Sequence, residues 1–347
     1  MATATSSTPR RRRGAGRVTL ADVASAAGVS SITVSRVLNE PGKVSADLRD
    51  RILAAIAELG YVPNGAARAL ASARPLLVAV LVPSLTNEVF VETLRGIREV
   101  LHPKGYQILI GDTGYDANDE ATILNTYLAF GPGGLLLTGL QQTDAVKLRL
   151  ETLRLPRVHM MELPAPGQAA PPTVGFSQTA AAVAMTDYLI ERGHRRIGFL
   201  ATQLDHRTLL RRDGWRASMQ THGLYSPELE ITDPGRSSVA RGGELLTQIL
   251  ASGLSPLNAL FCNNDDVAQG VIFEAQRRGL AVPKDLAVVG FNDLAASAWI
   301  NPGLTTIATP RYEVGREAAL RLLDSMSGHP PKTSLDLGFR LVTRASA

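Results

Sequence analysis

Apolar positions near the start of the chain recur at helical spacing. Leu20, Val23, Ala24 and Ala27 fall on one helical stripe, and Thr19 three residues ahead of Asp22 has the form of a capping box, so a short helix is expected to begin near Leu20 and to stop at Gly28. A second helix, capped by Ser30, buries Val34, Val37 and Leu38. At 100° per residue its opposite face carries Ile32, Ser35, Arg36 and Asn39, with Ser31 beside them in the first turn. After the turn at EPGKVS, Ser45 is placed to cap a third helix that buries Leu48, Ile52, Ile56 and Leu59 and ends at Gly60. Two short helices joined by a glycine-containing turn predict a helix-turn-helix, the second helix of which enters the DNA major groove by its N-terminus.

From Leu76 the pattern changes. Short apolar runs at 76–82, 106–110, 134–138, 157–161, 195–200, 258–262 and 286–291 alternate with segments of helical periodicity at 88–102, 117–130, 178–192, 209–222, 239–252, 266–279 and 313–326. Such alternation predicts parallel sheets covered by helices on both faces. A Pro- and Gly-rich break at 163–175 divides this body into two similar α/β lobes. Ligands in folds of this kind sit beyond the carboxyl ends of the strands, so the cleft between the lobes is the expected site.

The outer face of the second helix suits a duplex. Arg36 can donate two parallel hydrogen bonds to guanine, Asn39 and the hydroxyls of Ser31, Thr33 and Ser35 can bind phosphates or base edges, and Ile32 can meet a thymine methyl. The same pattern also fits a helical hairpin with a solvated polar face, against which stands an isoleucine isolated among small polar residues on the water side. Between the third helix and Pro75, Asn64 can cap a helix of one or two turns over GAARALAS. It is too short to hold in water alone, and is expected to form when two copies meet on DNA with Leu70 wedged into a minor-groove step. The other reading is a plain linker with Leu70 packed on the body.

Charge separates the two parts. Residues 1–74 hold eleven Lys or Arg against five Asp or Glu, a net +6, whereas the remaining 273 residues hold 25 against 27, a net −2. The basic surplus therefore lies with the helix-turn-helix. Arg10 to Arg13 form either a disordered solubilising tail or a source of salt-dependent, sequence-independent affinity for a duplex. No apolar run approaches membrane-spanning length, and no apolar segment follows the arginines as in a secretory signal. Cys262, the single cysteine, allows no internal disulfide and no cysteine-built metal site, as expected of a cytoplasmic protein.

The strand ends carry groups for a small hydroxylated ligand. Asn87 and Phe90 follow the first strand, Glu162 the fourth, Arg207 and Arg211 the fifth, Asn264 and Asp265 the sixth, Asn292 and Asp293 the seventh, and Arg311 follows LTTIATP. Asn and Asp side chains suit vicinal hydroxyls, and an arginine fork suits a carboxylate or phosphate. Asp265, Asp266 and Asp293 also suit helix capping. Phosphate-binding glycine loops, the G-x-S-x-G elbow and H-E-x-x-H are all missing, so no catalytic residue, cofactor or metal is expected.

The stretch VTLADVASAAGVSSITVSRVLN, followed by LGYVPNGAARAL and by RRIGFL, NNDDVAQG and VVGFNDL, resembles the LacI family of bacterial transcription repressors from about Arg17 onward. PSLTNEVFVETLRGI, LDHRT, FCNNDDVAQG and PKTSLDLGF are similar to its gluconate-operon repressors. The resemblance implies an all-α helix-turn-helix headpiece plus a periplasmic-binding-protein-like effector domain of two doubly wound parallel-sheet lobes. It implies a homodimer on a pseudo-palindromic operator, without the coiled coil of tetrameric relatives. The implied division is a basic tail at 1–16, a headpiece at 17–62, a hinge at 63–74 and an effector domain at 75–347, with lobe 1 at about 76–174 and 309–334 and lobe 2 at about 175–308 and 335–347.

The family's DNA contacts fall on Thr19, Ser30, Ser31, Ile32, Ser35, Arg36, Asn39 and Asn64, and its wedging leucine on Leu70. Its effector contacts fall on Ser84, Asn87, Phe90, Glu162, Arg207, Arg211, Asn264, Asn292 and Arg311. At Asn292 many members carry an acid and at Arg311 an aromatic, and both departures favour an anionic effector. The expected function is repression of sugar-acid catabolism genes under control of an aldonate, gluconate first. The alternatives are 2-ketogluconate, idonate, a neutral sugar or a purine on the same fold, and a sugar-binding protein with no DNA role.

Overall fold

The computed structural model describes residues 18–62, 76–165, 167–168, 170–252, 257–329 and 333–347. The chain divides into two compact units, Met1–Arg74 and Pro75–Ala347. In the first, α1 (Leu20–Ala26), α2 (Ser31–Asn39) and α3 (Ala46–Leu59) pack around Val23, Ala24, Ala27, Val34, Val37, Ile52 and Ala55. The caps form where the side-chain chemistry places them. Thr19 Oγ1 accepts from the Asp22 N–H at 3.3 Å while Asp22 accepts the Thr19 N–H at 2.8 Å, and Ser30 Oγ accepts from Thr33 N–H at 3.2 Å. Gly28 and Gly60 both adopt positive φ and end α1 and α3. Ser45 occupies the cap position of α3 without a side-chain cap bond, and Leu38, Leu48, Ile56 and Leu59 are only partly buried, packed around a small core in which Val23, Val34 and Ile52 are fully enclosed.

The second unit holds two parallel sheets. The first is ordered β11-β5-β4-β3-β1-β2, built from β1 (Leu77–Val82), β2 (Gln107–Asp112), β3 (Gly134–Thr138), β4 (Arg157–Met160), β5 (Thr173–Gly175) and β11 (Leu335–Asp336). Side chains of β1 alternate between two cores: Val78, Val80 and Val82 join one cluster, Ala79 and Leu81 the other, which is why the strand reads as continuously apolar. Helices α4 (Val89–Leu101), α5 (Ala117–Leu128), α6 (Asp144–Leu153) and, from late in the chain, α11 (Arg311–Met326) complete this lobe.

The second sheet, β7-β6-β8-β9, comprises β6 (Ile197–Thr202), β7 (Glu230–Asp233), β8 (Ala259–Cys262) and β9 (Ala287–Val289). It is flanked by α7 (Gln178–Glu191), α8 (His206–Thr221), α9 (Val239–Ala251) and α10 (Asp265–Arg277), and an antiparallel pair, β10 (Thr306–Ala308) with β12 (Arg340–Val342), lies beside it. Phe199, Phe261 and Trp215 fill one face, with Phe199 stacked 5.6 Å from Trp215 and edge-on to Phe261 at 5.4 Å.

Several elements depart from the periodicity reading. Helix α6 was not expected: Val146, Leu148 and Leu150 alternate with period two, and Leu148 is exposed, so the apolar pattern hides the helix that Thr143 caps. The break at 163–175 contains the strand Thr173–Gly175, and Glu230–Asp233, Thr306–Ala308, Leu335–Asp336 and Arg340–Val342 are strands too short to carry a pattern. The lobe boundary also moves. Leu335 and Asp336 pair with Val174 and Gly175 in the first sheet, so the chain returns to lobe 2 after Asp336 rather than at 335.

Helix α11 reaches lobe 1 by packing closely on α4. A Cβ at Gly315 would lie 2.0 Å from the Thr93 carbonyl oxygen, and one at Gly96 would lie 2.3 Å from that of Tyr312. Neither backbone can yield without separating the helices. Gly315→Ala is expected to cost about 3 kcal/mol, the upper end of ordinary overpacking, and to lower the melting temperature accordingly. Gly243→Ala, where the nearest atom is the Gly270 carbonyl oxygen at 3.4 Å, is expected to be neutral or stabilising. Equal melting temperatures for the two variants would contradict this packing.

Candidate functional site

On the headpiece, Ile32 is 72% exposed and shares the open face of α2 with Ser31 and Arg36, while Thr33 and Ser35 are half-buried at its edges. Asn39 closes the helix. Arg36 pairs with no carboxylate among the described residues, which leaves its fork available to an outside acceptor. Thr19 and Ser30 spend their side chains on caps, and the Ser30 and Thr33 hydroxyls share a hydrogen bond of 2.9 Å. Asn64 and Leu70, with the hinge helix expected around them, lie outside the described residues.

Between the lobes lies a narrow polar cleft of about 40 Å³. It brings together Asn87, Phe90, Arg207, Arg211, Asn264 and Asn292 from the expected set. Burial alone would push the Asp205 carboxyl up, but Arg207, the Thr208 N–H and Arg211 outweigh it and hold the carboxyl low. Arg207 is paired to Asp205 and lies 5.9 Å from the centre of the Phe90 ring, across the boundary between lobes. Arg211 is buried over Phe291 at 3.9 Å, donates to Gln178 Oε1 at 2.8 Å and to the Asn263 carbonyl at 2.7 Å, and burial lowers its pKa to about 10.

The amides are held as firmly. Asn264 caps α10 through Val267 N–H and donates to Ser237 Oγ at 2.7 Å, and Asn87 donates to Tyr115 Oη at 2.9 Å. Asn292 enters the cleft from a turn in which it and Asp293 have φ of 116° and 53°. That turn is clamped by the buried Asp265, whose carboxylate accepts from Leu294 N–H, Ser297 Oγ and Thr306 Oγ1 at 2.7, 2.9 and 2.6 Å. Asp265 is thus an anchor and not a cap, and Asp293 pairs with Arg344 at 2.8 Å. Positive φ at Tyr115, Gln203 and Asn292, all cleft residues, concentrates backbone strain at this site.

Three expected residues do not line the cleft. Ser84 Oγ accepts from Thr86 and Asn87 N–H and so shapes the loop that presents Asn87. Arg311 donates to the Asp293 carbonyl at 2.9 Å. Glu162 lies 2.8 Å from His206 Nδ1 and lines an adjoining, larger cavity. With Arg311 held on the Asp293 carbonyl, two arginines converge on the cleft and not three. Tyr115, Gln203, Asp205, Ser237, Asn263 and Asp266 line it as well and were missed. For Tyr115, Gln203 and Asp205 the signal was there, since they follow strand ends in GDTGYD and LATQLD. Among the described residues no group of three or more His, Cys, Asp and Glu side chains is arranged to hold a metal ion, and no helix is long and apolar enough to cross a membrane.

A helix-turn-helix unit in one chain with a two-lobed parallel-sheet receptor body is the make-up of a transcription regulator. Residues 19–64 match the model of the bacterial regulatory proteins of the lacI family, and residues 186–347 match a periplasmic binding protein-like domain. The chain is 47% identical over 338 residues to the HTH-type transcriptional regulator GntR of Pseudomonas aeruginosa, covering 97% of this chain and 98% of that protein. Among solved structures, transcription regulator GntR from Chromobacterium violaceum is 46% identical with a TM-score of 0.75, covering 78% of this chain and 98% of its own. The lac repressor dimer bound to operator and the anti-inducer ONPF is 28% identical with a TM-score of 0.78, covering 95% and 99%. The chain belongs to the lacI family of bacterial regulatory proteins.

Proposed function

We propose that the protein is a homodimeric repressor of sugar-acid catabolism genes whose grip on a pseudo-palindromic operator is set by an aldonate, gluconate or a close relative, held between the lobes. The observation that carries the effector class is the convergence of Arg207 and Arg211 on a cleft that Asn87, Asn263, Asn264 and Asn292 also line. A carboxylate suits the arginine forks, and the amides suit successive hydroxyls. The similarity to regulators named GntR supports the same reading. On the headpiece, Ser31, Ile32, Thr33, Ser35, Arg36 and Asn39 read the operator, with Thr19, Ser30 and Asn64 on the backbone and Leu70 in the minor groove.

Control follows from differential affinity. Three chain crossings join the lobes, between β5 and α7, between β10 and α11 and between β11 and β12, so a ligand touching both lobes biases their relative angle. An effector that prefers one angle shifts the operator-binding population by its preference, typically about 1–3 kcal/mol. Calorimetry with gluconate and with neutral sugars tests the effector class: binding of a neutral sugar and of no aldonate would remove it.

Proton linkage gives a second check. Burial, Asp265 and Glu88 push the Asp266 carboxyl up to about 6, and it lines the same cleft as the proposed carboxylate site. An incoming anion disfavours ionised Asp266, so binding takes up a proton and gluconate affinity is expected to rise as pH falls through about 6. Asp266→Asn should flatten that rise, measured by calorimetry over a pH series. A wild-type profile that falls on acidification through this range would contradict the assignment.

A further inference from the structure

We propose that Gln178 is a positioning residue for the effector, holding the guanidinium of Arg211 against lobe 1 so that one edge of its fork stays free for a carboxylate. This role rests on the aldonate reading above, in which Arg211 meets the carboxylate of the ligand. Gln178 is the first residue of α7, just past the crossing from β5 between the lobes, and is 3% exposed. It does not line the cleft itself, so any effect it has on the ligand passes through Arg211.

Both ends of the amide are engaged. Arg211 Nε donates to Gln178 Oε1 at 2.8 Å, and Gln178 Nε2 donates to the Met161 carbonyl at 3.0 Å. A guanidinium only donates and a carbonyl only accepts, so the reversed amide would satisfy neither, and the side chain has one orientation. Its anchor is fixed as well. Met161 has a φ of 70° and its N–H donates to the Val174 carbonyl at 2.9 Å. The next residue, Glu162, runs so close to β5 that a Cβ at Gly175 would lie 2.6 Å from its backbone nitrogen and oxygen. The Met161 carbonyl has little room to move, and neither has the amide held on it.

The rest of the guanidinium is held from the other side. Nη1 donates to the Asn263 carbonyl at 2.7 Å, and the Phe291 ring centre lies 3.9 Å away. With Nε on Gln178 and Nη1 on Asn263, Nη2 has no hydrogen-bond partner among the described residues, which leaves it to an incoming carboxylate. Without an acceptor at 178, Nε–H would be buried and unpaired, and the guanidinium would be drawn toward Asp205, the acid whose charge acts on it most strongly. Charge also decides why an amide serves here and a carboxylate would not. Glutamate at this position would keep an acceptor for Nε, but it would neutralise the cation from behind and set oxygen against the Met161 oxygen.

Gln178→Met keeps the length of the side chain and removes both polar ends. Calorimetry on the full-length protein is expected to show gluconate bound roughly ten- to a hundredfold more weakly, the worth of a hydrogen bond to a charged group. Gln178→Glu should weaken it at least as much. In an Arg211→Met background Gln178→Met should cost less than about twofold further, since a residue that acts through Arg211 has nothing left to position. Equal losses in the two backgrounds, or gluconate bound by Gln178→Glu as tightly as by wild type, would overturn the role. A second readout needs no effector. The Arg211 Nε–H resonance of protein labelled with ¹⁵N-arginine, identified by its absence in Arg211→Met, should exchange slowly with solvent in wild type and much faster in Gln178→Met. Should wild type bind no gluconate, the aldonate reading falls; there, or where Arg211→Met binds too weakly to measure, this exchange rate decides, and equally slow exchange in both proteins overturns the positioning role.

Discussion

Replacing Arg36 by Ala is expected to reduce operator affinity more than any other single change on the headpiece. Arg36 stands on the open face of α2, beside an isoleucine that is 72% exposed, with no carboxylate among the described residues paired to it. A bidentate contact to guanine is worth about 1–3 kcal/mol of discrimination, and a dimer loses it in both half-sites, so the specific complex should weaken by roughly 2–6 kcal/mol. Affinity for random duplex should change little, and the salt slope should stay as it was, since base contacts release no counterions. Fluorescence anisotropy on operator and on random duplex over a salt series measures both quantities. Equal weakening on the two duplexes, with the slope reduced by about one, would make Arg36 a phosphate contact instead.

The second large effect is expected in the cleft. Arg207→Ala takes a cation from a lining whose charged groups are Asp205 and Asp266 against Arg207 and Arg211, and it leaves Asp205 facing the ligand unpaired. Truncating one partner of a buried, hydrogen-bonded charge pair costs about 2–5 kcal/mol in binding, and gluconate should weaken by a corresponding factor of tens to thousands. Operator binding without effector should be intact, because Arg207 is remote in sequence from the headpiece and anchors no core. Asp205→Asn in the same background should restore part of the affinity by removing the repelling charge. Loss of operator and effector binding together would instead assign Arg207 a folding role, and unchanged gluconate affinity would remove the anion argument.

The two sites differ in how far they could be read in advance. The outer face of α2 is local: one helix, its cap at Ser30 and a 100° rotation suffice to put Ser31, Ile32 and Arg36 outward, and the structure places them there. The cleft is not local. Arg207, Arg211 and Asn292 were legible as polar groups after strands, but Asp205 as the partner of Arg207 and Asp265 as the clamp on the Asn292 turn appear only once α8, α10 and β10 come together.

Period and punctuation alone settled the three-helix headpiece, the alternation of strands with helices and the surplus of positive charge on the first 74 residues, because capping, helical rotation and the apolar content of buried strands act over a few residues. Only the tertiary structure decided that Leu335 and Asp336 extend the first sheet, that a glycine contact seats α11 on α4, and that Glu162 faces the adjoining cavity with His206 while two arginines remain in the cleft. Strands of two or three residues carry no period, and a buried charge takes its meaning from the group placed opposite it. Both depend on segments far apart in the chain, which no local pattern records.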